Sequence, residues 1–210
     1  MLKEFFNTDK ISIPIGKFFS RFPLTPNQWS LLSVLPAIIG FYFALQKDPV
    51  LSFLFFTLAG ACDAIDGGIA RFKGVTTKFG AFLDGSMDRF VDFLLVFSFL
   101  FFELPSVWIW PMEYWLVATA FFCLMPTFEV AYANHRQAVP DPHEKIIWRI
   151  LHRTEMYPLF LIALISIKFS KTLASWLIIF TTILSFVTSV QTIVLTYIKS
   201  KNYPQTLKVP

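Results

Sequence analysis

Asp63-Ala64-Ile65-Asp66-Gly67-Gly68-Ile69-Ala70-Arg71 and, eight residues later, Gly80-Ala81-Phe82-Leu83-Asp84-Gly85-Ser86-Met87-Asp88-Arg89-Phe90-Val91-Asp92 form the stretch that decides how this chain folds. Five of the eight aspartates of the chain fall here, between apolar runs on both sides. A carboxylate at membrane depth is costly and marks function by default. Five together need positive partners, and a divalent ion is the simplest. On a helix, positions 63, 66, 67 and 70 share one face, with two carboxylates followed by two residues with almost no side chain. Positions 80, 84 and 88 form a second face of Gly, Asp and Asp. Two such helices facing each other enclose a polar hollow of four carboxylates and two glycines, where a ligand can approach backbone. Carboxylates with phosphate suit Mg²⁺ or Mn²⁺, and no Cys/His pair has zinc-ligand spacing.

Outward from this stretch the chain is apolar. Its 210 residues are 55% hydrophobic, with a mean hydropathy of +0.59, which predicts one all-α integral membrane domain. Six spans are expected at 28–46, 51–71, 80–102, 114–134, 156–170 and 173–198, since a hydrocarbon core of about 30 Å needs about 20 helical residues. Residues 1–22 mix Lys3, Lys10, Lys17 and Arg21 with apolar residues and read as an amphipathic segment on the membrane surface, where Pro14 is expected to limit any continuous helix. Residues 23–200 form the six-helix domain, and 201–210 a cytoplasmic tail. Thr25-Pro26-Asn27 is a helix-start signal.

Fourteen of the eighteen Lys and Arg fall in the N-terminus, the 71–79 and 135–155 loops and the C-terminal tail, against three on the other side, while Arg89 lies in a span. This asymmetry predicts both termini and the aspartate cluster on the cytoplasmic side of the cell membrane. It also reads the net charge of +4 as membrane sidedness rather than nucleic-acid binding. Trp108, Trp110, Tyr114 and Trp115 read as an interfacial belt in the outer connection. Cys62 and Cys123 read as small buried hydrophobes rather than a disulfide. No cleavable leader is expected.

The pattern Asp-x2-Asp-Gly-x2-Ala-Arg-x8-Gly-x3-Asp-x3-Asp, filled by Asp63, Asp66, Gly67, Ala70, Arg71, Gly80, Asp84 and Asp88, resembles that of the CDP-alcohol phosphotransferases. The resemblance implies a homodimeric membrane transferase of phospholipid or inositol-phosphodiester biosynthesis. It would move a substituted phosphate from a CDP-alcohol (CDP-diacylglycerol, its archaeal ether analogue or CDP-inositol) to the hydroxyl of a polar, phosphorylated alcohol, inositol phosphate favoured, releasing CMP. Glycerol phosphate or serine are alternative acceptors. By the same resemblance, Asp63, Asp66, Asp84 and Asp88 hold Mg²⁺ (or Mn²⁺), one or two ions per site with two favoured, and Asp88 is the general base. Asn27, Gly67, Arg71, Thr77 and Gly80 meet the CDP moiety. Arg136 and Arg153, backed by His135 and Lys199, take the acceptor phosphate, although Asn134 and Met156 stand where such relatives often carry a basic residue.

Other readings sit beside these. The aspartates alone would also serve a structural ion site or a divalent-cation or anion transporter. Asp92 either reaches metal through water or accepts a hydrogen bond from Arg89. Arg71 alone is a snorkelling span-end arginine. Gly60, Gly68 and Gly85 read as helix-packing positions.

Overall fold

A computed structural model describes residues 8–139 and 149–201. The loop residues His143 and Lys145 and the tail beyond Lys201 lie outside these, as do the first seven residues. All regular elements among the described residues are helical: α1 (Thr8–Phe19), α2 (Pro26–Leu32), α3 (Val34–Leu45), α4 (Pro49–Lys73), α5 (Lys78–Ser98, continued by a 3-10 turn Phe99–Phe102), α6 (Met112–His135), α7 (Arg153–Ser166) and α8 (Lys171–Ser200).

Local chemistry sets most of these ends. Thr25 and Gln28 form a capping box around the start of α2, with Thr25 N donating to Gln28 Oε1 at 2.8 Å and Pro26 opening the helix. Asp48 accepts from the amides of Val50 and Leu51 at the start of α4. Gly74, at φ +64°, closes α4 in the left-handed conformation that glycine adopts without a Cβ penalty. Thr77 then caps α5 by accepting from Gly80 N at 2.9 Å. The short 74–77 turn makes α4 and α5 an antiparallel hairpin, so the two acidic faces belong to adjacent helices.

Among the described residues, four spans are long and apolar enough to cross a membrane: Pro26–Leu45, which joins α2 and α3, then α4, α6 and α8. The helices at the third and fifth expected spans differ for opposite reasons. α5 carries Lys78, Asp84, Asp88, Arg89 and Asp92 in its first fifteen residues, and α7 is only 14 residues long. α6 and α8 pack together through buried hydroxyls, including a hydrogen bond between Thr119 and Thr182 and one from Ser189 to Glu129. The main core gathers Phe56, Leu95, Phe99, Phe160, Leu164 and Ile178, all essentially inaccessible.

Three sequence expectations are corrected. Pro14 does not interrupt α1, which runs through it. An interior proline removes one backbone donor and crowds the carbonyl four residues back, and here packing against α4 offsets that cost. At Gly16, an added Cβ would stand 2.1 Å from the Gly68 carbonyl oxygen, so α1 lies backbone to backbone on α4. Ile15 and Phe19 join a second core of Trp29, Cys62, Ile65 and Ile69, so protein covers part of the apolar face expected for lipid.

Trp115 is buried in α6, with Trp108 stacked on it at 5.4 Å and Trp110 tilted against it at 5.2 Å, so Trp108, Trp110 and Tyr114 are the exposed members of this aromatic group. Gly60 and Gly68 do serve packing, the former against the Tyr157 ring, but a side chain at Gly85 would meet nothing. Cys62 and Cys123 are free and buried, as expected.

Candidate active site

Two helices join the α4–α5 hairpin to complete the site. α2 packs across both α4 and α5, bringing Asn27 and Ser30 to the acidic faces, and α7 meets the same pair with its first residue, Arg153. Asp63 and Asp66 from α4 and Asp84 from α5 each offer a carboxylate oxygen, all within 4.8 Å of one another. Hard oxygen donors at that mutual distance, with the Asp66 side chain buried, fit a divalent ion. Ser30 donates to Asp66 Oδ2, a contact absent from the sequence reading. The spacing gave one signal for it, since Ser30 lies one turn beyond Asn27 on the same helical face.

A cavity of about 220 Å³ opens beside these carboxylates. Asn27, Gly67, Arg71, Thr77 and Gly80, drawn from three helices and one turn, all line it together with Asp66 and Asp84. The two glycines keep its wall low. A Cβ at Gly80 would stand 3.0 Å from Thr77 Oγ1 and 3.1 Å from Asn27 Oδ1, and one at Gly67 would stand 3.3 Å from both terminal nitrogens of Arg71. The Arg71 guanidinium therefore lies along the glycine face of α4, at the cavity, rather than reaching away from it.

Asp88 is placed differently from the three-carboxylate group. Arg153 Nη1 lies 2.8 Å from Asp88 Oδ1 and 3.0 Å from Asp63 Oδ2, and Nε lies 3.1 Å from Asp92 Oδ1. The guanidinium also lies over the Tyr157 ring, 5.2 Å from its centroid, and the Tyr157 hydroxyl donates to the Phe56 carbonyl at 2.6 Å. Arg89 reaches Asp92 at 3.2 Å, the pairing weighed from the sequence. Arg153 thus stands among carboxylates, whereas Arg136 is exposed just past the end of α6.

Next to Arg153 a narrow pocket is lined by Arg89, Arg149, His152 and Ser185. The Nε atoms of Arg89 and Arg149 are buried there without a hydrogen-bond partner. Burial first, and then repulsion from Arg89, lowers the proton affinity of Arg149 from the ordinary arginine value. Two guanidinium Nε donors left unbonded at one pocket are an environment for an anion.

Three carboxylates beside a glycine-walled cavity give this helical protein the donor set for a divalent ion and the room for a ligand to approach backbone. The comparisons give the family: a model of the CDP-alcohol phosphatidyltransferase family matches residues 23–198, and the chain belongs to that family. The chain is 37% identical over 44% of its length to the archaetidylinositol phosphate synthase of Aeropyrum pernix, covering 47% of that protein. It is 30% identical over 59% of its length to the phosphatidylinositol phosphate synthase of Corynebacterium glutamicum, covering 55% of that protein. The matches thus span about half the length of these relatives. The fold is similar to that of Mycobacterium tuberculosis phosphatidylinositol phosphate synthase with CDP-DAG bound, at a TM-score of 0.78 and 19% identity, over 94% of this chain and 99% of that one. A second structure of that protein is in complex with manganese and citrate.

Proposed function

We propose that this chain transfers a substituted phosphate from a CDP-alcohol to the hydroxyl of a phosphorylated polar alcohol, with inositol phosphate favoured, and releases CMP. The observation that carries the reading is the convergence of Asn27, Gly67, Arg71, Thr77 and Gly80 on one cavity bordered by Asp66 and Asp84. The names of the similar synthases support an inositol phosphate acceptor and a lipid donor.

In this reading the cytidine diphosphate lies in the cavity against Gly67 and Gly80, and Arg71 neutralises phosphate oxygens there. Asp63, Asp66 and Asp84 would hold Mg²⁺ or Mn²⁺, and Asp88 would offer a further carboxylate beside them. Bound there, a divalent ion supplies charge stabilisation to the diphosphate as CMP departs. Asp88 takes the proton of the attacking hydroxyl, and Arg153 holds its carboxylate until the nucleotide arrives. The acceptor phosphate is met by Arg153 together with Arg89 and Arg149, with Arg136 at the rim.

The site faces the cytoplasm, six helices span the membrane, and the protein works as a homodimer. The test is product analysis. Purified protein with Mg²⁺ is given CDP-diacylglycerol, its ether analogue or CDP-inositol, each with inositol phosphate, glycerol phosphate or serine. CMP release with a phosphoinositol product supports the reading. Ion flux in liposomes with no nucleotide turnover overturns it in favour of transport.

A further inference from the structure

Arg153 occupies the place where a cation bridging Asp63 and Asp88 would stand. Its Nη1 is shared between these two carboxylates, at 3.0 Å and 2.8 Å, and its Nε engages Asp92. Asp63 is the shared member, since it also belongs to the three-carboxylate group with Asp66 and Asp84. The guanidinium is pinned from behind by the Tyr157 ring, and Tyr157 is tied to the α4 backbone at Phe56.

Charge points the same way. With every carboxylate ionised, Asp63, Asp66, Asp84, Asp88 and Asp92 face Arg153, Arg89 and Arg71, which leaves two negative charges. One divalent ion balances that excess. A second would leave the hollow positive, until a diphosphate adds about two negative charges.

We propose that Arg153 is a built-in counter-ion that limits the free protein to one tightly held divalent ion, at Asp63, Asp66 and Asp84. A second ion then enters only with the nucleotide diphosphate, when Arg153 gives up Asp63 and Asp88. This rests on the transferase reading above. Arg153 is in this respect a positioning residue: it orders ion entry after nucleotide entry and leaves its guanidinium available to the acceptor phosphate once displaced.

The test counts ions. Free Mn²⁺ is followed by electron paramagnetic resonance as it is titrated into purified protein, alone and with CDP at concentrations that calorimetry shows to saturate. Wild type is expected to take up one Mn²⁺ per chain alone and two with CDP. Arg153→Gln is expected to take up two without CDP, with the second ion bound at least tenfold more tightly than in wild type, while Arg153→Lys stays at one. Two equivalent ions on nucleotide-free wild type overturn the proposal whatever the variants do, as does a wild-type count that stays at one under saturating CDP. If neither Mn²⁺ nor CDP binds at all, the transferase reading itself fails, a result distinct from ions binding in the wrong number.

Discussion

Arg153 Nη1 meets Asp88 Oδ1 at 2.8 Å, so the last aspartate of the motif is gripped by a cation from α7 rather than gathered with Asp63, Asp66 and Asp84. The pairing fixes the carboxylate in the free protein, and its release when the nucleotide binds leaves Asp88 able to act as the base. Asp88→Asn preserves shape and removes basicity. Turnover is expected to fall about 10²- to 10⁴-fold, with CDP binding by calorimetry within a few-fold of wild type. Near-normal CMP release would remove Asp88 from the role of base.

The same pair predicts a stability effect. The Arg153 side chain is 18% exposed, and those of Asp88 and Asp92 are 17% and 9% exposed. Deleting one partner of a buried ion pair leaves uncompensated charge and costs about 3–5 kcal/mol. Arg153→Met should therefore lower the melting temperature in detergent. Mn²⁺ should restore more of the loss in the variant than it adds to wild type, because the ion supplies the missing positive charge. Equal Mn²⁺ stabilisation of both proteins would show that Arg153 and the ion do not share ligands.

What could be read from the chain follows from the range of each interaction. The faces formed by Asp63, Asp66 and Gly67 and by Gly80, Asp84 and Asp88 are set by helical periodicity, and the caps at Thr25 and Thr77 act within three residues. Those readings needed no tertiary knowledge. The passage of α1 through Pro14 depends instead on Gly16 meeting Gly68, 52 positions away. Arg153 pairs with Asp63 across 90 positions. The family resemblance assigns Arg153 to an acceptor phosphate, but nothing local in sequence shows its contacts with the protein's own carboxylates. Closeness in sequence groups Trp115 with Trp108, Trp110 and Tyr114, but its burial under two of those rings is a tertiary contact.

Gly80→Ala tests the cavity wall. Its Cβ would press on Thr77 Oγ1 at 3.0 Å and Asn27 Oδ1 at 3.1 Å, both polar ends at the proposed nucleotide position. The KM for the CDP-alcohol should rise about tenfold, equivalent to about 1.4 kcal/mol, with little change in the KM for the acceptor. A matching rise in both would place Gly80 in general packing.

Gly16→Val tests the docking of α1. The Gly68 carbonyl oxygen belongs to the α4 backbone and cannot rotate away from a new side chain, so the helices must separate. Overpacking of this kind costs about 1–3 kcal/mol. Amide hydrogen exchange over residues 8–19 should speed up in the variant while α8 stays protected. Unchanged exchange in α1 would show that contacts other than Gly16 hold it.

Arg149→Ala addresses the acceptor. The Arg149 Nε and Arg89 Nε are buried without partners, although Arg149 Nη1 donates to the Pro126 carbonyl at 3.3 Å. A buried guanidinium with a donor to spare gains a charge-assisted hydrogen bond when a phosphate arrives, worth about 1.5–3 kcal/mol. That corresponds to a rise of about 10- to 150-fold in the KM for inositol phosphate. The donor KM should stay within about twofold, because the CDP cavity is lined by other residues. Free inositol, which lacks the phosphate, should bind equally weakly to wild type and variant. If the substitution raised both KM values together, Arg149 would be a structural support for the start of α7, and the acceptor phosphate would have to be sought at Arg136 instead.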